Sequence, residues 1–186
     1  EGAMAAILGM DADKLTSVTE RITKQGDTVQ LANLNCPGQI VISGTKAGVD
    51  KACVLAKEEG AKRAIPLVVS GPFHSSLMTP AAEKLGAVLA QLPLTEGAVP
   101  LIGNVTADVV AVSDMQQELV AQVYSPVRWE ESVRKMIDLG VDTFIECGPG
   151  KVLSGLVKKV DRSVTTYCVY DEASLQAVVE AAKEWA

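Results

Sequence analysis

Apolar and polar positions along the first third of the chain follow two periods in turn. Ala3 to Gly9 is a small apolar run that reads as a strand; Asp11 to Gln25 places Leu15, Val18 and Ile22 on one helical face; Thr28 to Asn33 returns to strand. Asn35-Cys36-Pro37-Gly38 predicts a turn, since proline presets φ and glycine supplies a positive φ. Gln39 to Ser43 follows as the partner strand. Thr45 to Glu59 reads as a second helix, with Val49, Ala52, Cys53 and Ala56 at i, i+3, i+4 and i+7, and Gly60 stops it. Residues 61 to 69 make a fourth strand, whose apolar end Ile65-Pro66-Leu67-Val68-Val69 predicts burial before Gly71-Pro72 breaks the run. The order β-α-β-β-α-β is that of the ferredoxin-like split unit, assigned here to residues 1–66.

From residue 67 to 186 the pattern changes to longer helices and single apolar strands. A helix is expected over 76–91 with Leu85, Val88, Leu89 and Leu92 as its stripe, then a strand over Val99–Val105, and helices over Met115–Tyr124 and Val127–Leu139. Thr143 to Cys147 is the next strand. A helix bearing Val152, Leu153, Leu156, Val157 and Val160 follows, then a strand over Thr165–Tyr170 and a final amphipathic helix over Ser174–Trp185. Strands alternating with covering helices imply an α/β fold with a largely parallel sheet.

At 186 residues the chain can bury a core without metals or disulfides. Its 48% hydrophobic and 22% charged residues exclude a disordered chain. A net charge of −6 gives no general attraction for nucleic acid or for anionic membrane surfaces. Ferredoxin-like RNA readers stack bases on aromatic residues of the sheet, and residues 1–69 contain no Phe, Tyr or Trp, which argues against that class. No apolar run approaches the ~20 residues that cross a bilayer. The four cysteines, Cys36, Cys53, Cys147 and Cys168, form no C-x-x-C pair, so no zinc or redox motif is signalled and a reducing, cytoplasmic setting is expected. Because the chain opens on Glu1 and not Met, a preceding segment stays open.

One histidine occurs, His74, in Ser70-Gly71-Pro72-Phe73-His74-Ser75. A single histidine more often serves packing than chemistry. Its place at the end of an apolar strand is nevertheless where α/β folds present reacting groups. The turn Gly148-Pro149-Gly150-Lys151 superficially suggests a phosphate cradle, but Ile145 and Val152 stand where a Walker loop needs glycine and Ser/Thr.

Four segments, in register, carry a resemblance: Asn33-Leu34-Asn35-Cys36-Pro37-Gly38-Gln39, Gly71-Pro72-Phe73-His74-Ser75, Gln122-Val123-Tyr124-Ser125-Pro126-Val127-Arg128-Trp129, and Glu146-Cys147-Gly148-Pro149-Gly150-Lys151-Val152-Leu153. Together they resemble the malonyl-CoA:acyl-carrier-protein transacylases. The resemblance implies an α/β-hydrolase-like core, its C-terminal part at 67–186, with the ferredoxin-like unit inserted in it. The implied reaction moves a malonyl group from coenzyme A to the phosphopantetheine thiol of acyl carrier protein at the start of fatty-acid extension. No cofactor is implied; malonyl-CoA and acyl carrier protein are the expected partners.

By the same resemblance His74 is the catalytic base of a serine-histidine pair, and Gln122 supplies the main-chain carbonyl that receives the imidazole N–H. Asn33 and Asn35 are assigned to substrate binding, although Asn ahead of Pro-Gly is equally explained by turn formation. Phe73 is expected to exclude a branched methyl from the acyl pocket, a selection worth roughly 10- to 200-fold. Docking of an acidic carrier protein requires local positive charge, for which Lys62, Arg63, Lys158 and Lys159 are the candidates. The departure is an absence: no Gly-x-Ser-x-Gly nucleophile elbow occurs. The chain thus reads as the later, larger part of such an enzyme and is expected not to transfer acyl groups alone. Two other readings share these residues: an acyltransferase domain of a polyketide synthase, and a non-catalytic interaction module.

Overall fold

The computed structural model describes residues 2–185. The first six elements are β1 (Gly2–Leu8), α1 (Ala12–Thr23), β2 (Val29–Cys36), β3 (Gln39–Thr45), α2 (Lys46–Glu58) and β4 (Arg63–Pro66). The strands form one sheet in the order β2-β3-β1-β4, with every neighbouring pair antiparallel. Each helix begins where a side chain can take up free amide N–H groups: Asp11 Oδ1 accepts from Lys14 N at 2.9 Å, and Thr45 Oγ1 accepts from Gly48 N at 3.1 Å. At the far end of α2 the chain reverses through Gly60, whose φ of +104° only glycine adopts without strain.

One face of the sheet receives the helices. Leu15, Val18 and Ile22 of α1 and Val49, Ala52 and Ala56 of α2 close over Ala5, Ile7, Ile40 and Ile42, and all of these side chains are buried. The helical periodicity of the sequence therefore points at the core as expected. The turn between β2 and β3 is tighter than expected: Asn35 and Cys36 remain in β2, and only Pro37-Gly38 connects the strands. Two register shifts, between Leu31 and Asn33 and between Leu34 and Cys36, leave Ala32 and Asn35 without a partner across the ladder.

The last part of the fourth strand departs from expectation. Pairing with β1 runs only to Pro66, followed by one main-chain bond from Leu67 N to Met4 O at 2.9 Å. Ile65, Leu67, Val68 and Val69 are exposed, not buried, because β4 is the edge of the sheet and no strand flanks its outer side among the described residues.

Downstream lie α3 (Thr79–Leu89), entered through a short 3₁₀ turn at Ser76–Met78, then α4 (Val112–Ala121), α5 (Trp129–Asp138), β5 (Thr143–Cys147), α6 (Val152–Val160), β6 (Thr165–Val169) and α7 (Glu172–Ala182). The strand expected over Val99–Val105 does not form. Residues 101–110 instead make a closed loop with a single bridge between Ile102 and Val109, since Val105 N is bonded to the carboxylate of Glu118 at 2.6 Å and is not available to a neighbouring strand. The largely parallel sheet expected for residues 67–186 is represented there by one parallel two-stranded pair. Among the described residues the parallel pairing is confined to β5 with β6 and the isolated bridge of Asn33 with Val127, and the larger sheet is antiparallel.

The chain divides into two compact units, the first ending at Ser132 and the second beginning at Val133. The first extends beyond the four-stranded sheet because residues 125–128 return to β2: Val127 N donates to Ala32 O at 2.8 Å, and Leu34 N donates to Val127 O at 2.9 Å. In the second, β5 and β6 run parallel with α6 as their crossover, and α7 follows β6. The fold is thus mixed α/β.

Ile7 is fully buried in central strand β1. Ile7→Ala is expected to lower the unfolding free energy by about 2–5 kcal/mol, whereas Val54→Ala at an exposed position of α2 stays within about 0.5 kcal/mol. Urea unfolding monitored by circular dichroism measures both.

Candidate active site

Side chains alternate across β1, so Ala5 and Ile7 enter the helix-covered core while Gly2, Met4 and Ala6 face the opposite side of the sheet. Ladder partners share a face, which places Ser43 beside Met4, Gln30 beside Ser43, and Asn33 beside Val41 on that same side. The segment 70–76 crosses this surface. A Cβ on Gly2 would lie 2.3 Å from Pro72 Cδ, so only glycine lets the segment come so close.

The crossing ends on His74. Its φ of +56° is left-handed, which costs a non-glycine residue roughly 1–3 kcal/mol and persists only where surrounding contacts impose it. Ser75, fully buried, donates its hydroxyl to Pro72 O at 2.7 Å, and Gln30 accepts from Ser76 N at 2.9 Å. Nδ1 of His74 lies 2.7 Å from the main-chain oxygen of Gln122, the residue that caps the C-terminus of α4. A carbonyl oxygen can only accept, so Nδ1 must carry the proton and Nε2 keeps the lone pair. In the neutral ring Nε2 is therefore the nitrogen with the free lone pair.

Gln122 is itself anchored. Its side-chain Oε1 accepts from Asn104 Nδ2 at 2.9 Å. Asn104 lies in the 101–110 loop, which the buried carboxylate of Glu118 holds through Val105 N and which Arg128 holds through the carbonyls of Val105 and Thr106, each at 3.2 Å. The Arg128 guanidinium also binds both carboxylate oxygens of Glu131, and that hydrogen bond holds the Glu131 carboxyl below its ordinary range against the opposing effect of desolvation. Gln30, Asn104, Glu118 and Arg128 were not among the residues read from the sequence as site components.

The structure thus brings His74 and Gln122 together. Asn33 and Asn35 are half-buried in β2, with Asn33 on the same sheet face as Gln30 and its main chain bridged to Val127. Phe73 is exposed next to His74, its ring lying over Gly71. Lys62 and Arg63 are exposed at the start of β4. Lys159 is exposed on α6, but Lys158 directs its ammonium to the carbonyls of Val164 and Arg162, which uses part of its charge within the unit.

The acyl transferase domain family matches residues 1–181. The chain belongs to that family. It is 60% identical over 185 residues to the malonyl CoA-acyl carrier protein transacylase of Bacillus subtilis strain 168, a match covering 99% of this chain and 58% of that protein. Among solved structures, it is similar to the acyl-carrier-protein S-malonyltransferase of Burkholderia pseudomallei 1710b, with a TM-score of 0.91 at 45% identity over 96% of this chain and 58% of the other. A malonyl-transacylase solved in complex with a type II PKS acyl-carrier protein gives a TM-score of 0.93 at 39% identity, covering 97% of this chain and 58% of its own. The chain therefore spans about 58% of the length of these relatives.

In the second unit of this acyl transferase domain, the Gly148-Pro149-Gly150-Lys151 turn leads into α6. The helix N-terminus is already occupied by the protein's own anion: Glu146 accepts from Leu153 N at 3.1 Å and from Ser154 N at 2.7 Å. Those amide N–H groups are thus already taken and are not free to cradle a phosphate. Desolvation pushes the Glu146 carboxyl up, but the hydrogen bonds from Ser154, Leu153 and Val152 together outweigh it and leave the group below its ordinary value. Asp161 is lowered by the Ser163 hydroxyl and amide, and Asp171 by the hydroxyl and amide of Ser174.

A carboxyl whose folded pKa lies below its unfolded one stabilises the fold above the unfolded value, and that contribution disappears as pH falls through the folded value. The α6 N-terminus is accordingly expected to lose protection on acidification below about pH 5. Amide exchange of Leu153 and Ser154 measures it: the unaltered chain loses protection toward acid, and Glu146→Gln is less protected at neutral pH with a flatter acid response.

Proposed function

We propose that this chain is the histidine-bearing part of a malonyl-CoA:acyl-carrier-protein transacylase. The observation that carries the reading is the 2.7 Å contact of His74 Nδ1 with Gln122 O, which leaves Nε2 as the basic nitrogen. A serine from a segment outside this chain would act as nucleophile. As its Oγ attacks the malonyl thioester carbonyl, Nε2 takes the hydroxyl proton; the C–S bond to coenzyme A then breaks, and the proton passes to the departing thiolate. In the second half the phosphopantetheine thiol of acyl carrier protein gives its proton to Nε2 and attacks the malonyl ester, and serine leaves with that proton. No cofactor enters either half. Asn33 and Asn35 belong to the substrate cleft in this reading, and Phe73 limits the acyl branch.

The β-α-β-β-α-β order and antiparallel β2-β3-β1-β4 sheet support a ferredoxin-like small subdomain at 1–66, and the parallel β5–β6 pair supports an α/β-hydrolase-like core at 67–186. Such an enzyme would work in the cytoplasm; no helix of the described residues is long and apolar enough to cross a membrane. The carrier protein, being acidic, would dock on positive charge despite the net −6 of the chain. The candidate charges are exposed Lys62 and Arg63 or, separately, Lys159 with Lys158. The similarity to a malonyl-transacylase solved with a type II PKS carrier favours one second reading, in which the acceptor is a polyketide carrier.

Fusing the chain to the nucleophile-bearing segment of the Bacillus subtilis relative is expected to give malonyl transfer, which His74→Ala lowers by about 10²–10⁴-fold. Stopped-assay turnover checks this; full activity in the alanine variant overturns the role of His74. In the same fusion Phe73→Ala is expected to reduce the preference for malonyl over methylmalonyl by about 10- to 200-fold, read as the ratio of the two kcat/KM values.

A further inference from the structure

We propose that Gln30 is a positioning residue for His74, a molecular clip that holds the two segments carrying the His74–Gln122 bond in register. The inference rests on the catalytic reading of His74 and extends it to a residue on another element.

Gln30 stands on β2 opposite Ser43, and its side chain therefore projects from the sheet face that the 70–76 segment crosses. Its amide reaches three main-chain groups. Nε2 lies 3.4 Å from His74 O and 3.4 Å from Tyr124 O, and Oε1 accepts from Ser76 N at 2.9 Å. A primary amide offers two donors and an acceptor in one rigid plane, so one side chain can satisfy all three groups at once. One is the carbonyl of His74 itself and another the amide two residues beyond it, so both bear on a left-handed backbone that requires outside support. The third belongs to the residue two positions beyond Gln122. The clip thus ties the loop presenting the imidazole to the loop presenting its acceptor, and both to β2 of the four-stranded sheet.

The chemical consequence concerns the tautomer. The Nδ1–H form is favoured only while the Gln122 carbonyl stays within hydrogen-bond reach, and that bond is lost if the two loops drift by about an ångström. None of these three hydrogen bonds of Gln30 involves the imidazole ring itself. It acts through main-chain placement, which distinguishes it from Gln122 and from any group that would touch substrate.

His74 is the only histidine, so its ring nitrogens give unambiguous ¹⁵N resonances in the intact 186-residue chain. Gln30→Leu removes all three contacts; Gln30→Glu keeps an acceptor for Ser76 N but sets a carboxylate oxygen against the carbonyls of His74 and Tyr124. The unaltered chain is expected to hold the Nδ1–H tautomer predominantly, and both variants to raise the Nε2–H population several-fold and speed exchange of the Nδ1 proton. A tautomer ratio unchanged in either folded variant overturns the proposal, even if the unfolding midpoint falls, since lost packing alone would move only the midpoint. Should neither variant fold, the side-chain amide of Gln30 in the unaltered chain decides: slowed hydrogen exchange supports the clip, and exchange at the rate of a free glutamine overturns it. In the nucleophile-bearing fusion, Gln30→Leu is expected to lower kcat about tenfold with KM for malonyl-CoA unchanged. A fusion without any transfer activity refutes malonyl transfer while leaving the tautomer result to judge Gln30.

Discussion

The hydrogen bond from His74 Nδ1 to the Gln122 carbonyl joins segments 48 residues apart, and much of the first unit can be understood as the apparatus that makes it. A main-chain oxygen has no proton to give, so its presence decides the tautomer of the ring. Delivering that oxygen takes the C-terminus of α4, which Asn104 braces through the Gln122 side chain. Delivering the imidazole takes a backbone crossing over Gly2 and a left-handed residue. The same sheet that buries α1 and α2 on one side thus serves as the bench for the site on its other side.

The second unit shows the opposite use of a familiar device. A strand entering a helix through Gly148 and Gly150 exposes amide N–H groups that could take an external anion, yet Glu146 on the strand end turns back and fills the place. Its charge is stabilised there, and its hydrogen bonds tie the end of β5 to the first turn of α6. Family membership and this occupied N-terminus agree: the motif belongs to an acyl transferase domain and not to a nucleotide-binding loop.

Legibility differed between local and long-range features. Leu15, Val18 and Ile22, or Val49, Ala52 and Ala56, repeat at helical spacing and all reach the core. The boundaries of β5 and α6 were readable because Gly148 and Gly150 punctuate them. The burial expected of Leu67–Val69 was misread because an apolar run carries no mark of whether it will lie at the centre or the edge of a sheet. Val99–Val105 has strand composition, but the carboxylate of Glu118 claims Val105 N and closes a loop in its place. Of the site, the neighbourhood of His74 was visible in Gly71-Pro72-Phe73-His74, and its link to Gln122 was available only through family resemblance. Gln30 and Asn104 left no trace, since a glutamine in a strand and an asparagine in a loop look the same whether or not their amides bridge distant chain segments.

Composition and periodicity by themselves determined that this chain folds, that its first 66 residues follow a β-α-β-β-α-β order, and that its single imidazole lies just after an extended apolar segment. Those properties follow from nearest-neighbour sterics and from the regular spacing of apolar side chains, which sequence displays directly. Which nitrogen of His74 is basic, which amides hold it, and which runs lie at an edge were decided only in three dimensions. They depend on pairings across tens of residues, and a hydrogen bond of that span exists only once the sheet and its crossing loops have brought the partners within about 3 Å.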